Sequence, residues 1–460
     1  MRIKSVKTIE VEDKYFCDLN VSPNNNYVLG NGCVVHNTGL IFSKLRPANS
    51  MVQSTHGVSS GPVSFMQCFD VATEAVKQGG VRRGANLGLL RVSHPDIFEF
   101  VRCKQDTTKF QNFNISVGVT DNFMKAVVNG NGYPLRHPRY HVKQYIDARE
   151  LFNEICQQAW KTGDPGLLFL DTIESGNPTP QFGRLEGVNP CGESPLIPNE
   201  SCNLGSINIS KLVQESGKFD WDRLDEIVAI AVRFLDNVVE VNHYPNVKIR
   251  RATLRTRKIG LGVMGFADAL IAMGVKYNSE QAHKFAKRLI MNIRENAHMV
   301  SRELGKEKGV GELRKLKRRN AILTVVAPTG TLSILANCSS GIEPLFARDY
   351  TKTVLGGVEL NLSSKYKNVS EDLLVTTHDI SIKDHIKIQA AFQSYTDGAV
   401  SKTINLKNAA TIDDVKEAFM FAWESGCKGI TVYRDGCRNA PLKHVDGTLS
   451  ECKNGRCSIL

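Results

Sequence analysis

What the chain lacks narrows it first. No run of about 18 uncharged apolar residues occurs, so a membrane-spanning helix is not expected. The opening MRIKSVKTIEVEDK has no apolar h-region. No secretory signal is read there, and a cytoplasmic protein is expected. Low-complexity tracts and internal repeats are absent. The balance of 42% hydrophobic and 23% charged residues over 460 positions is that of a soluble globular protein. Aromatics are few, at 7%, and none interleaves with the densest basic run, Arg314 to Arg319 (RKLKRR). A nucleic-acid surface is therefore not expected. The run reads as a solvated face, and the net charge of +11 carries no functional weight. Twelve cysteines without a secretory signal argue against a disulfide scaffold and direct attention to catalytic or redox thiols.

What is present divides the chain. Lys7–Val11, Tyr15–Val21 and Tyr27–Val35 are short β-branched runs separated by turn residues. From about residue 70 helical and strand patterns alternate, which is the signature of an α/β fold. Val71–Lys77, Asp96–Cys103, Arg149–Lys161, Trp221–Val241, Asn278–Leu304 and Thr411–Gly426 predict helices. Ile115–Val119, Gly166–Leu170, Ile322–Val326 and Gly429–Tyr433 predict strands. After Pro441 the periodicity stops, and 441–460 read as a flexible tail.

His36 and Asn37 stand directly before Thr38. An Asn side-chain amide can attack its own carbonyl and cut the following peptide bond. The His can assist the leaving nitrogen, and the Thr hydroxyl can hold an acyl group as an ester. The tripeptide alone is a weak signal. Its flanks, YFCDLNV and then YVLGNGCVVHN, resemble the two carboxy-terminal blocks of inteins. The resemblance implies that 1–37 is the carboxy-terminal fragment of a split intein, a small all-β piece, with Asp18, His36, Asn37 and Thr38 as its splicing residues. One departure is the stretch Asn24-Asn25-Asn26, where many inteins carry a further histidine.

Beyond Thr38 three stretches carry chemistry. In VNPCGESPLIPNESCNLGSIN, Pro190, Gly192, Pro195 and Pro198 preclude a helix and leave a loop that displays its thiols. Asn189, Cys191 and Glu193 alternate at i, i+2 and i+4. On an extended segment this places an amide, a thiol and a base on one face. In APTGTLSILANCSSGIEPLF, a strand-like run leads through Pro328, Thr329, Gly330, Thr331, Leu332 and Ser333 into a helix start suited to phosphate. No lysine is present, so it is not a Walker A loop. Cys452 and Cys457, spaced CKNGRC, can form and exchange a disulfide. Only His444 lies near them, so no metal site is predicted.

Together TGLIFSKLRP, SSGPVSFM, KQGGVRRGANLG, HPDIFEF, NPCGE, ESCNLGSIN, RKIGLGVMGF, PTGTLS, VSKTINL and GCKGITVYRDG resemble, in order, blocks of the large catalytic subunit of ribonucleotide reductase. The likeness spans 38–460 and is strongest to the adenosylcobalamin-dependent class. It implies a ten-stranded α/β barrel, incomplete at its amino-terminal side, over 38–440, and a redox tail over 441–460. It implies a thiyl radical on Cys191, Glu193 as base, Asn189 holding the ribose hydroxyls, and Cys202 as one of two reducing thiols. Cys452 and Cys457 would recharge that pair and be restored by thioredoxin or glutaredoxin. Substrate, a ribonucleoside di- or triphosphate, would rest its phosphates on Pro328–Ser333, with Ser60 and Gly61 near the nucleoside. Loop Lys104–Lys109 would answer to deoxynucleotide or ATP effectors in a homodimer.

Two gaps shape this reading. Tyr433 stands alone, without the tyrosine pair that receives a radical from a small subunit, which favours cobalamin. The second reducing thiol belongs upstream of TGLIFS in the family, and 38–65 do not supply it. The expectation is therefore an enzyme complete only after trans-splicing joins Thr38 to an amino-terminal reductase chain. The alternatives are a class I subunit needing a small radical-generating partner, or a splicing protein carrying a non-catalytic nucleotide-binding regulator.

Overall fold

The computed structural model describes residues 27–28, 34–35, 38–54, 56–75, 85–140, 143–346, 350–354, 358–361, 366, 369–437 and 442–444. Asp18, His36, Asn37, Cys452 and Cys457 lie outside these residues. Of the expected amino-terminal strands, Tyr27–Val28 and Val34–Val35 pair antiparallel with each other.

Thr38–Ile41 (β1), Asn86–Arg91 (β2), Phe113–Val119 (β3) and Gly166–Phe169 (β4) lie side by side and parallel, with Thr38 opposite Asn86, Asn86 opposite Phe113, and Gly166 opposite Ser116. Asn203–Asn208 (β5) pairs in parallel with Ile259–Met264 (β6). Thr403–Leu406 (β7) is parallel to Gly429–Arg434 (β8), and β8 runs antiparallel to β4 with Leu167 opposite Ile430. The expected strand Ile322–Val326 forms no ladder of its own but bridges two neighbours. Leu261 N–H donates to Leu323 O at 2.7 Å, and Ser401 N–H donates to Val326 O at 2.9 Å. The pairing therefore runs without interruption through β5, β6, 322–326, 398–401 continuing into β7, β8, β4, β3, β2 and β1. These are nine strand positions, and among the described residues β5 and β1 each carry a partner on one side only. Of the expected ten-stranded barrel, the described residues show this open series of nine strand positions.

Helices form where apolar spacing and caps agree. Trp221–Val241 (helix H, the longest predicted with matching ends) buries Leu224, Val228, Val232, Leu235 and Val239, and Asp220 caps it by accepting from Arg223 N–H at 3.0 Å. Glu280–Lys308 is capped by Ser279 and extends four residues past its expected end. Ile412–Glu424 opens with a reciprocal Thr411–Asp414 capping box. The Val71–Lys77 expectation was too short at its start. The helix spans Gly61–Ala75, because Pro62 sits in the first turn, where its missing N–H costs nothing. The basic run is also corrected. Arg319 turns inward to Asp236 at 2.8 Å, and Arg318 donates to Ala321 O at 2.7 Å, so only its earlier residues are solvated. Among the described residues, no helix is long and apolar enough to cross a membrane.

Two large apolar clusters back the sheet, one around β3 and Ala148–Thr162, the other around β6 and the two long helices. A third, smaller cluster positions the site. Leu87 and Leu89 of β2 and Leu168 of β4 point away from the first cluster and receive Leu185, Val188 and Ile197 from the loop that follows. Fully burying each such side chain stabilises by about 1.5–3 kcal/mol, so the loop is seated on the sheet at both of its ends.

Candidate functional site

Between those anchors the chain makes a tight turn. Gly192 N–H donates to Asn189 O at 2.9 Å, and Gly192 adopts φ +83°, a conformation that favours glycine. The extended alternation expected for Asn189, Cys191 and Glu193 is thus replaced by a turn. The reason is local: the left-handed Gly192 reverses the chain, and Asn189 meets Glu193 across the turn rather than along it. Asn189 Oδ1 accepts from Ser194 N–H at 3.0 Å, and the Asn189 side chain favours the charged form of Glu193. Cys191 is left partly exposed at the tip.

Glu193 is 2% exposed, and its Oε2 has no hydrogen-bond partner. Burial pushes its carboxyl up to about 7; its own main-chain N–H and then the Asn189 side chain oppose the shift. A buried carboxyl with an unused oxygen near neutral pKa is suited to taking a proton. Cys202, at the entry to β5, is the second thiol. Burial pushes it up to about 12, while the Ser194 hydroxyl and Lys258 oppose this and Glu193 and Glu200 add to it. The electrostatic influence of Glu193 on Cys202 puts the two in one neighbourhood. Next to them Lys258 and Glu200 form a buried pair at 2.6 Å, and Thr256 Oγ1 donates to the other Glu200 oxygen at 2.6 Å.

The Pro328–Ser333 stretch follows 322–326 as expected, but its helix, Leu332–Leu335, is a single turn. Thr329 Oγ1 accepts from Gly341 N–H at 2.7 Å, and Ser333 Oγ pairs with Ser340 Oγ at 2.8 Å. Both hydroxyls are buried and shape the loop, whereas Thr331 is exposed. Ser333 N–H already donates to Thr329 O at 2.9 Å, so what the stretch can offer an anion is the exposed Thr331 and the Leu332 N–H. The following SSGIEPLF motif is tied to VSKTINL: buried Lys402 contacts Glu343 at 2.5 Å, and Thr403 N–H donates to Glu343 at 2.8 Å.

Ser60 and Gly61 stand at the start of helix Gly61–Ala75, where a Cβ on Gly61 would meet Asp96 Oδ2 at 2.9 Å. In loop Lys104–Lys109, Lys104 is a half-buried anchor, 2.6 Å from Asp164, and the exposed part is held by Asp106 accepting from Thr108 Oγ1 at 2.6 Å. Thr38 is the first residue of β1. Cys427 is buried and Cys103 half-buried, and desolvation pushes both up to about 12, which suits packing rather than reactivity.

Sequence reasoning missed the support behind Glu193. Ala399 N–H donates to Glu193 O at 2.8 Å, and Lys428 Nζ donates to Asp397 O at 2.9 Å and Gly398 O at 2.6 Å. The available signal was the Asp-Gly pair in TDGAV just before VSKTINL.

A sheet series joined by a thiol-bearing turn, with a buried carboxyl and a second thiol beside it, defines an α/β domain with a candidate cysteine site. Comparison with known families gives that class its place. The family model for the ribonucleotide reductase barrel domain matches residues 37–315 and 312–433, and the chain belongs to this family. It is 46% identical to the vitamin B12-dependent ribonucleoside-diphosphate reductase of Thermoplasma acidophilum, over 88% of this chain and 59% of that protein. With the protein of the same description from Mycobacterium tuberculosis it shares 44% identity, over 88% of this chain and 64% of that protein. The ribonucleoside-diphosphate reductase subunit alpha of Helicobacter pylori is 24% identical over 90% of this chain and 69% of that protein. The chain thus spans about 60% of the length of the two B12-dependent relatives.

Proposed function

We propose that the chain supplies the carboxy-terminal part of an adenosylcobalamin-dependent ribonucleotide reductase, acting on ribonucleoside diphosphates. The observation that carries the reading is the turn itself: an approachable Cys191 between Asn189 and a buried Glu193 near pKa 7, with Cys202 in the same neighbourhood. The closer likeness to B12-dependent relatives than to the subunit alpha supports cobalamin over a radical-donating small subunit.

A cofactor that must reach the Cys191 sulfur needs an open side, and a Cβ built on Gly192 would meet no atom within 4 Å. Cys191 and Gly192 would face it. When bound, adenosylcobalamin supplies the radical that removes the thiol hydrogen of Cys191. The Cys191 sulfur then takes the 3′ hydrogen of the ribose. Glu193 accepts the 3′-hydroxyl proton, and the 2′-hydroxyl leaves as water with a proton from the reducing thiol pair. Cys202 and its partner thiol give two electrons in all and end as a disulfide. Cys191 returns its hydrogen to C3′, so the net change is ribonucleotide plus dithiol to deoxyribonucleotide, disulfide and water. Asn189 holds the ribose hydroxyls, and the phosphates lie on Thr331 and the helix start at Leu332. Cys452 and Cys457 recharge the disulfide from thioredoxin or glutaredoxin. The remaining expectations (effector binding at Lys104–Lys109, a homodimer and a cytoplasmic location) belong to the same reading.

Splicing is part of it. The family match begins at residue 37, at the junction the His36-Asn37-Thr38 motif marks. A strand from an amino-terminal reductase chain would extend this series at the outer edge of β1 or β5, each of which carries a partner on one side only among the described residues. Cys202 lies directly before β5, so such a strand could bring the missing second thiol beside it.

Coexpression with an amino-terminal partner, followed by intact-mass measurement, tests the joining. Loss of a 37-residue piece and a ligated product are expected; their absence removes the splicing reading. The ligated enzyme should then reduce nucleotides with adenosylcobalamin alone, and a requirement for a metal-loaded small subunit would move it to class I. Cys191→Ser should leave nucleotide binding intact and lower turnover by at least about 1,000-fold. Residual turnover near wild type would exclude the thiyl role and favour the regulator reading.

A further inference from the structure

Lys428 is a buried ammonium whose acceptors among the described residues, Asp397 O and Gly398 O, are main-chain carbonyls. An inner cation costs several kcal/mol of desolvation unless its environment compensates, so its position calls for a reason. Burial pulls its pKa down to about 8. The segment it grips is fixed from every side. Asp397 N–H donates to Thr324 Oγ1 at 2.9 Å, and Gly398 N–H donates to Thr324 O at 2.9 Å. The Asp397 carboxylate accepts from Arg294 Nε at 2.9 Å and Leu323 N–H at 3.1 Å, and lies 2.9 Å from His298 Nε2. The next residue delivers the consequence: Ala399 N–H holds Glu193 O. Gly398 is pressed into the same contact, since a Cβ there would lie 2.6 Å from Val325 Cγ1 and 3.0 Å from Glu193 O.

We infer that Lys428 is a positioning residue for Glu193: through the carbonyls of residues 397 and 398 it fixes the turn whose Ala399 N–H carries the Glu193 main chain, and so keeps the Glu193 carboxyl in its dry site. Its catalytic meaning rests on the reading of Glu193 as the base. Glu193 owes its raised pKa to burial and not to a neighbouring charge. The ionisable groups around it are the Cys202 thiol, the Glu200–Lys258 pair beside that thiol, and Asp397 with Lys428 reached through residues 398–399. Loosening the turn admits water, which removes the cause of the shift.

The test is the titration of the Glu193 carboxylic-acid carbonyl band by infrared difference spectroscopy on the whole chain, with Glu193→Gln identifying the band. Lys428→Met and, independently, Gly398→Ala should each lower the midpoint from about 7 by about one pH unit or more, toward the ordinary carboxyl range. Lys428→Arg, which keeps charge and donors, should lie closer to wild type. Ile155→Ala, a comparable destabilisation in the apolar cluster around β3, should leave the band in place. If Lys428→Met does not fold, Gly398→Ala and Lys428→Arg carry the measurement. Folded variants that titrate with wild type, or an equal shift in Ile155→Ala, overturn the inference. The band is read without turnover. A silent ligated wild-type enzyme therefore removes the base reading alone, and an active enzyme with an unmoved band removes the clamp alone.

Discussion

Asp397 and Glu193 are two carboxyls shut away from solvent and linked through Ala399, yet they titrate on opposite sides of the ordinary range. The Asp397 side chain is 8% exposed and Glu193 is 2% exposed, so burial does not separate them. What separates them is supply of donors. Burial pushes Asp397 up, but His298, Arg318 and Arg294 more than reverse this and hold it at about 2. Glu193 keeps one oxygen without a partner and stands at about 7. The fold completes the hydrogen bonding of Asp397, which ties several segments together, and withholds it from Glu193, the carboxyl proposed as the base.

The largest effect is expected at the satisfied carboxyl. Asp397→Ala leaves Arg294, His298 and the Leu323 N–H without their acceptor and should destabilise by about 3–5 kcal/mol at pH 7, measured by urea unfolding. The folded pKa lies below the unfolded value, so the native carboxylate stabilises above about pH 4 and its contribution is lost as pH falls toward 2. The gap between variant and wild type should narrow over that window. A constant gap would mean that Asp397 acts through packing and not charge.

At the unsatisfied carboxyl the sign reverses. Glu193 has a folded pKa above its unfolded value, so wild-type stability falls as pH rises from about 4.3 to 7 and levels off beyond. Glu193→Gln removes that loss. It should stabilise the chain by about 3–4 kcal/mol at pH 8, with no gain near pH 4, while lowering turnover of the ligated enzyme by about 100-fold or more. A variant destabilised at pH 8 would show that the buried carboxylate is compensated after all.

Much of this contrast could be read in the sequence at one end and not at the other. NPCGE announced its Asn, Cys and Glu because proline and glycine exclude a helix and leave only a loop to explain them. Helix Trp221–Val241 matched residue for residue because its apolar spacing and its Asp220 cap agree. The turn geometry escaped, since alternation at i, i+2 and i+4 assumes an extended chain and the left-handed Gly192 reverses it. Lys428 and Asp397 escaped for a different reason. Their roles come from contacts with residues far away in the chain, and a lysine in GCKGI carries no local mark of burial. In the same way RKLKRR looked solvated because charge density is visible in a sequence, whereas the partner that draws Arg319 inward, Asp236, lies 83 positions away.

The smallest effect tests the contrast most finely. The Asn189 side chain favours the charged form of Glu193 and so lowers the carboxyl pKa against the pull of burial. A neutral hydrogen bond is worth about 1 kcal/mol, which corresponds to less than about one pH unit. Asn189→Ala should therefore raise the Glu193 midpoint by a fraction of a unit, opposite in direction to Lys428→Met and Gly398→Ala. The same infrared band reads all three. The opposition matters because a generally loosened loop would admit water and move every variant downward. A rise for Asn189→Ala beside a fall for Lys428→Met separates the two controls on one carboxyl: the donor that stabilises its charge, and the turn that keeps it dry. A downward shift for Asn189→Ala would mean that its amide acts mainly by holding the Ser194 N–H and the turn closed, and that burial at Glu193 depends on Asn189 as much as on Lys428.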